Sequence, residues 1–154
     1  MAGKVETKLA EMGVEVPDAP APAANYVPYV VAGDMVYVSG QISKGDDGLI
    51  VGKLGADMDV AAGQAAAQVC ALNLIAQVKA ACGGDLDRVV RVVKLGGFVN
   101  SAPDFGDQPA VINGASDFIG EVFGDAGAHA RAAVGCSALP FGVAVEVEGI
   151  FQIS

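Results

Sequence analysis

Tryptophan is absent from this 154-residue chain, histidine occurs once, and cysteine three times. Basic residues are scarce: 9 Lys+Arg stand against 18 Asp+Glu, a formal net charge of -9. Each shortage excludes something. So acidic a surface repels phosphate backbones, and no basic cluster offsets it, which disfavours nucleic-acid binding. His129, the single histidine, does not fall with Cys70, Cys82 and Cys136 at metal-ligand spacing, so no metal site is expected. An odd cysteine count, with no apolar signal core in the first residues, reads as reduced thiols in the cytoplasm. No run is long and uncharged enough to span a bilayer.

What is present is apolar. Hydrophobic residues make up 53% of the chain, and mean hydropathy is +0.47. The length suits one domain with a real core. A chain this apolar is expected to bury surface against copies of itself, as a homo-oligomer.

The pattern along the chain predicts a single domain over residues 1–154, with residues 1–24 as an appendage. Val5, Leu9 and Met12 share one face of an amphipathic helix from Met1 to Met12, stopped at Gly13. Pro17 to Ala24 is an extended Ala/Pro connector. Tyr29–Val31 and Met35–Ser39 flank Gly33-Asp34 as a hairpin, and Leu49–Val51 reads as a short third strand. Asp59 is suited to cap a helix from Val60 to Ala81, ended by Gly83-Gly84. Arg88–Val99 is a strand apolar on both faces, one to be covered by helices and the other by a partner subunit. A loop over Pro103–Pro109 precedes a second amphipathic helix through Ile112, Ala115, Ile119 and Val122. Arg131–Ala138 and Val143–Phe151 close the chain as a second hairpin. Mixed elements with hairpins at both ends predict an α+β sheet carrying both main helices on one face.

The end of the chain holds the chemistry. Arg131 opens a strand of small residues, and its guanidinium is suited to grip a carboxylate through two parallel hydrogen bonds. On its strand face come Ala133, Gly135 and Ser137, small enough to leave a hollow. Spacing alone favours a structural salt bridge from Arg131 to Glu146 or Glu148. Those two acids share a strand face; alternation usually means solvation, but a carboxylate against apolar walls binds its proton more tightly and can serve as a general base. His129, in a loop before Arg131, reads as exposed or gating, and the thiols as packing groups.

Pro28-Tyr29-Val30, Ser39-Gly40-Gln41-Ile42, Val89–Val99, Asn113, and Arg131 through Leu139-Pro140 to Glu146-Val147-Glu148 occur in an order that resembles the reactive intermediate deaminase family, RidA or YjgF, often labelled endoribonuclease L-PSP. The resemblance runs from about Tyr26 to Phe151. It implies a chorismate-mutase-like fold, a homotrimer with clefts between subunits, and cofactor-free hydrolysis of 2-imino or 2-enamino acids to 2-keto acids and ammonia. By position, Arg131 matches the carboxylate-binding arginine and Glu146 the acid near the attacking water. Tyr29, Ser39, Gly40 and Asn113 match cleft residues. Each also has a plainer role: edge packing for Tyr29, a strand end for Ser39-Gly40, a helix start for Asn113. Ala133 stands where family members often carry cysteine; its backbone could still hydrogen-bond the imine or water. The first helix, the connector and the loop over Asp104–Gln108 mark a divergent branch. A protein of the same shape that binds a small carboxylate or keto acid, or acts as a holdase, is the alternative. A ribonuclease fits the charge poorly.

Overall fold

The computed structural model describes residues 2–154. Helix α1 (Lys4–Glu11) is tied to the body at its start, where the backbone N–H groups of Lys4 and Val5 donate to the Asp87 carboxylate at 2.9 and 3.0 Å. These bonds satisfy donors that a helix N-terminus otherwise leaves open, and they hold the Asp87 carboxyl below its ordinary pKa. Leu9 is buried beneath, and Gly13 stops the helix at φ +70°. Met1, where the helix was expected to begin, lies outside the described residues.

The main sheet comprises β1 (Tyr29–Ala32), β2 (Met35–Ile42), β5 (Val89–Asn100), β6 (Ala130–Cys136) and β7 (Val145–Ile153), in the order β1-β2-β7-β5-β6. Only β5 and β6 run parallel. The first hairpin forms as expected, turning through Gly33 at φ +62°. Two expectations fail. Leu49–Val51 does not join the sheet: β3 (Lys44–Gly45) and β4 (Gly48–Leu49) close on each other through the intervening turn, and Val51 makes only an isolated bridge to Val143. Nor are the last two strands a hairpin. β7 has both edges occupied, by β2 and β5, and β6 lies beyond β5. The corner through Pro140, Phe141 (φ +59°) and Gly142 carries the chain across instead.

Helix α2 (Val60–Ala81) begins where Asp59 Oδ1 accepts from the Ala62 N–H at 2.8 Å. Helix α3 (Gln108–Phe123) starts earlier than expected, with Pro109 in its first turn, where proline has no intrahelical N–H bond to lose. It is the crossover joining parallel strands β5 and β6. Both helices cover one face. Val36, Val38, Val145, Val147 and Phe151 are buried beneath them. On the other face Val30, Tyr37 and Val134 are 51%, 46% and 48% exposed. Cys70 and Cys82 are buried, and burial raises both thiol pKa values.

Candidate functional site

Arg131 pairs with Leu95, and Ala133 with Gly97, on the face that meets α3. Arg131 is half-buried at the edge strand. Its Nη1 donates to Asn113 Oδ1 at 2.8 Å and to Ser116 Oγ at 3.2 Å. Behind Ser116 stands His129, whose Nε2 lies 2.9 Å from the hydroxyl and whose Nδ1 lies 2.6 Å from the Gly127 carbonyl oxygen. A carbonyl only accepts, so Nδ1 carries the hydrogen. In the neutral ring Nε2 then accepts from Ser116, leaving the Ser116 oxygen to accept from Arg131. His129, read from its loop setting as exposed or gating, is half-buried and hydrogen-bonded through both ring nitrogens. Among the described residues Arg131 makes no ion pair, and neither Nε nor Nη2 has a hydrogen-bond partner. Those two atoms form the side-on fork that receives a carboxylate.

Glu146 lies elsewhere. It pairs with Ile42 on β2 and Phe98 on β5, pointing away from the helix-covered valines on either side of it. β2 shifts register between Val38 and Gln41, and Gly40 sits in that irregularity. A Cβ on Gly40 would stand 2.7 Å from Glu146 Oε1, so glycine makes room for the carboxylate. Partial burial raises the Glu146 pKa, and Glu148, two residues along, adds to the shift. Glu148 is exposed.

A cavity of about 780 Å³ opens beside Glu146, where β2 runs past the end of β1. Gly40, Gln41 and Ile42 line it with Glu146, and so do Tyr26, Phe141 and the connector. Tyr29 is paired with Val38 and packs against the core, while Tyr26 lines the cavity. The Ser39 hydroxyl donates to the Val27 carbonyl at 2.8 Å, and its N–H to Pro28 at 2.9 Å, which fixes the connector's exit.

Asn113 and Arg131 are thus brought together, as are Gly40 and Glu146. The two pairs are not. β5 and a reversal of side-chain face separate Arg131 from Glu146, so no salt bridge joins them within one chain. Ser116 was not singled out in the sequence, although its spacing of three from Asn113 on a helix puts both on one face. Among the described residues no helix is long and apolar enough to cross a membrane.

Comparison with known proteins gives one consistent result. The family described as "YjgF/chorismate_mutase-like, putative endoribonuclease" matches residues 6–148. Protein TCP17 of Trypanosoma cruzi is 52% identical over 155 residues, covering 99% of this chain and 96% of that protein. The crystal structure of the protein Atu1372 of Agrobacterium tumefaciens is similar at TM-score 0.89 and 48% identity, over 97% of this chain and 94% of the other. The structure of E. coli TdcF with bound serine is similar at TM-score 0.62 and 27% identity, over 88% of this chain and 94% of the other.

Proposed function

The chain belongs to the RidA/YjgF family, and from this premise we propose that it hydrolyses 2-imino and 2-enamino acids to 2-keto acids and ammonia. The reaction needs no cofactor and takes place in clefts between the subunits of a cytoplasmic homotrimer. The observation that carries this reading is the state of Arg131. Asn113 and Ser116 hold it through Nη1 alone, leaving the Nε/Nη2 fork free for a carboxylate.

Two copies are needed to complete the site. Arg131 and Glu146 face opposite sides of the sheet in one chain, so a small substrate touching both must lie between one protomer's Arg131 and its partner's Glu146. The exposed apolar face bearing Val30, Tyr37 and Val134 supplies surface for such an assembly. The serine bound to TdcF is itself a small carboxylate.

The chemistry then follows. Arg131 fixes the carboxylate, and the protonated C=N carbon is the electrophile. A water adds to that carbon and passes a proton to Glu146, whose raised pKa suits it to accept. Glu146 returns the proton to the amine nitrogen of the tetrahedral adduct. As the C–N bond breaks and ammonia leaves, the hydroxyl O–H proton passes to the carboxylate of Glu146, the C=O bond of the keto acid forms, and the keto acid departs. Backbone groups beside Ala133 orient the water or imine, and Gly40 leaves the carboxylate its space. Positioning supplies much of the rate in so undemanding a hydrolysis.

The test uses freshly generated 2-iminobutyrate and 2-iminopropionate. Both should disappear faster with the protein, and Arg131→Ala should abolish the gain. No acceleration with any imine would overturn the reading. Keto-acid binding that depends on Arg131 without turnover would select a binding protein of this fold.

A further inference from the structure

We propose that the Ala/Pro connector forms one wall of the side-chain pocket, and that the site takes 2-imino acids with a large apolar side chain, aromatic above all. This rests on the reading above and names its substrate class. A cavity of about 780 Å³ lies within the range of pockets that enclose drug-sized ligands. The methyl or ethyl group of the smallest imino acids would leave most of it unfilled. Glu146 marks the reacting end. The cavity wall includes Pro20, Ala21, Pro22 and Ala23 of the connector, together with Tyr26 and Phe141.

Proline suits such a wall. It has no N–H to lose to desolvation, and its fixed φ orders the segment before a ligand arrives. The strap is held within its length at Pro20 and again just beyond its end, at Val27. Gln77, 1% exposed on α2, donates Nε2 to the Pro20 carbonyl at 2.6 Å. At the exit, the Ser39 hydroxyl holds the Val27 carbonyl. The wall is therefore preformed, which keeps the ordering cost of binding low. Charge narrows the choice further. Glu15, Asp18 and Asp46 line the cavity against Lys44 alone, so a second carboxylate on the substrate is repelled.

Binding of the stable keto-acid products tests this separately from turnover. In calorimetric titrations of the full chain, phenylpyruvate should bind at least about tenfold tighter than pyruvate, and 2-oxoglutarate no tighter than pyruvate. Ala23→Phe fills the cavity from an exposed connector position, and the double variant Ala21→Phe/Ala23→Phe fills it further. The double variant should weaken phenylpyruvate at least about fivefold and leave pyruvate within about twofold. Equal affinities in the wild type, or equal loss of both ligands in the double variant, would overturn the proposal. Imine turnover is measured in parallel on 2-iminopropionate. Its absence would strike the deaminase reading alone, since the phenylpyruvate preference is read without it.

Discussion

Gly40 and Glu146 occupy space that a single added methyl would contest, since a Cβ on Gly40 would lie 2.7 Å from Oε1 and 3.0 Å from the carboxyl carbon. The contact is with the far end of a flexible side chain, so the chain can yield by turning Glu146 aside. Gly40→Ala should therefore cost little stability, about 1 kcal/mol or less. It should lower kcat/KM for imine hydrolysis by tenfold or more, because the carboxylate leaves its place. Urea unfolding and the imine assay on one preparation separate the two effects. Equal losses in both would place Gly40 in the scaffold only.

The Glu146 carboxyl also makes a pH prediction. Burial, then Glu148, raises its pKa in the folded state. Between the ordinary and the raised value the folded chain holds a proton that the unfolded chain has released, so stability falls as pH rises through that window. Below the ordinary carboxylate value the group contributes no penalty. Glu146→Gln, which stays neutral, should match the wild type in acid and become the more stable as pH rises. Activity should run the other way, falling in acid as the base protonates. A difference in unfolding free energy that stays flat from pH 4 to 8 would contradict the shift.

Ser116 carries the link from His129 to Arg131, accepting from Nη1 at 3.2 Å while 2.9 Å from Nε2. It is a positioning residue, because Asn113 still holds the same nitrogen. Ser116→Ala should raise KM about three- to tenfold, the net worth of one ordinary hydrogen bond, since Asn113 still holds the charged group. kcat should change by less than about twofold, and Ser116→Thr should restore KM. Loss of kcat with KM unchanged would speak against a part in holding the clamp.

The local features were legible because each is written in adjacent residues. Asp59 and the run to Ala81 gave α2 its boundaries, and Gly33-Asp34 gave the first turn. Partnership between strands is not local. Arg131–Ala138 and Val143–Phe151 look like successive strands, and nothing within them says that β5 will lie between. The same gap hides the site. That Tyr29 faces the core and Tyr26 the cavity depends on the pairing of Tyr29 with Val38. That Arg131 and Glu146 diverge depends on registers counted through β5. Pattern placed both groups on strands, and only the registers set the face.

Close approach of the two main helices yields a stability prediction. A Cβ on Gly114 of α3 would run into the Gln64 carbonyl of α2. That obstacle is backbone, which cannot turn aside as Glu146 can. Gly114→Ala should cost about 3 kcal/mol or more despite alanine's better helix propensity. Chemical denaturation should show a lower midpoint with an unchanged slope. A stabilised variant would mean that the helices part without cost.

The helix-free face carries the last prediction. Tyr37 is paired with Val30 on β1 and Ile150 on β7, and Val134 with Phe98 on β5, so apolar side chains run across several strands without a covering layer. Leaving that surface in water is unfavourable by about 25 cal/mol per Å², and the proposed assembly would close it against two further copies. Sedimentation equilibrium should give three times the 15.4 kDa chain mass. Tyr37→Asp and Val134→Asp should each shift the population to monomer, because an aspartate buried at the interface has no partner to offset its desolvation. Imine hydrolysis should fall with the trimer fraction. An active monomer, or a trimer indifferent to both aspartates, would remove the two-copy site.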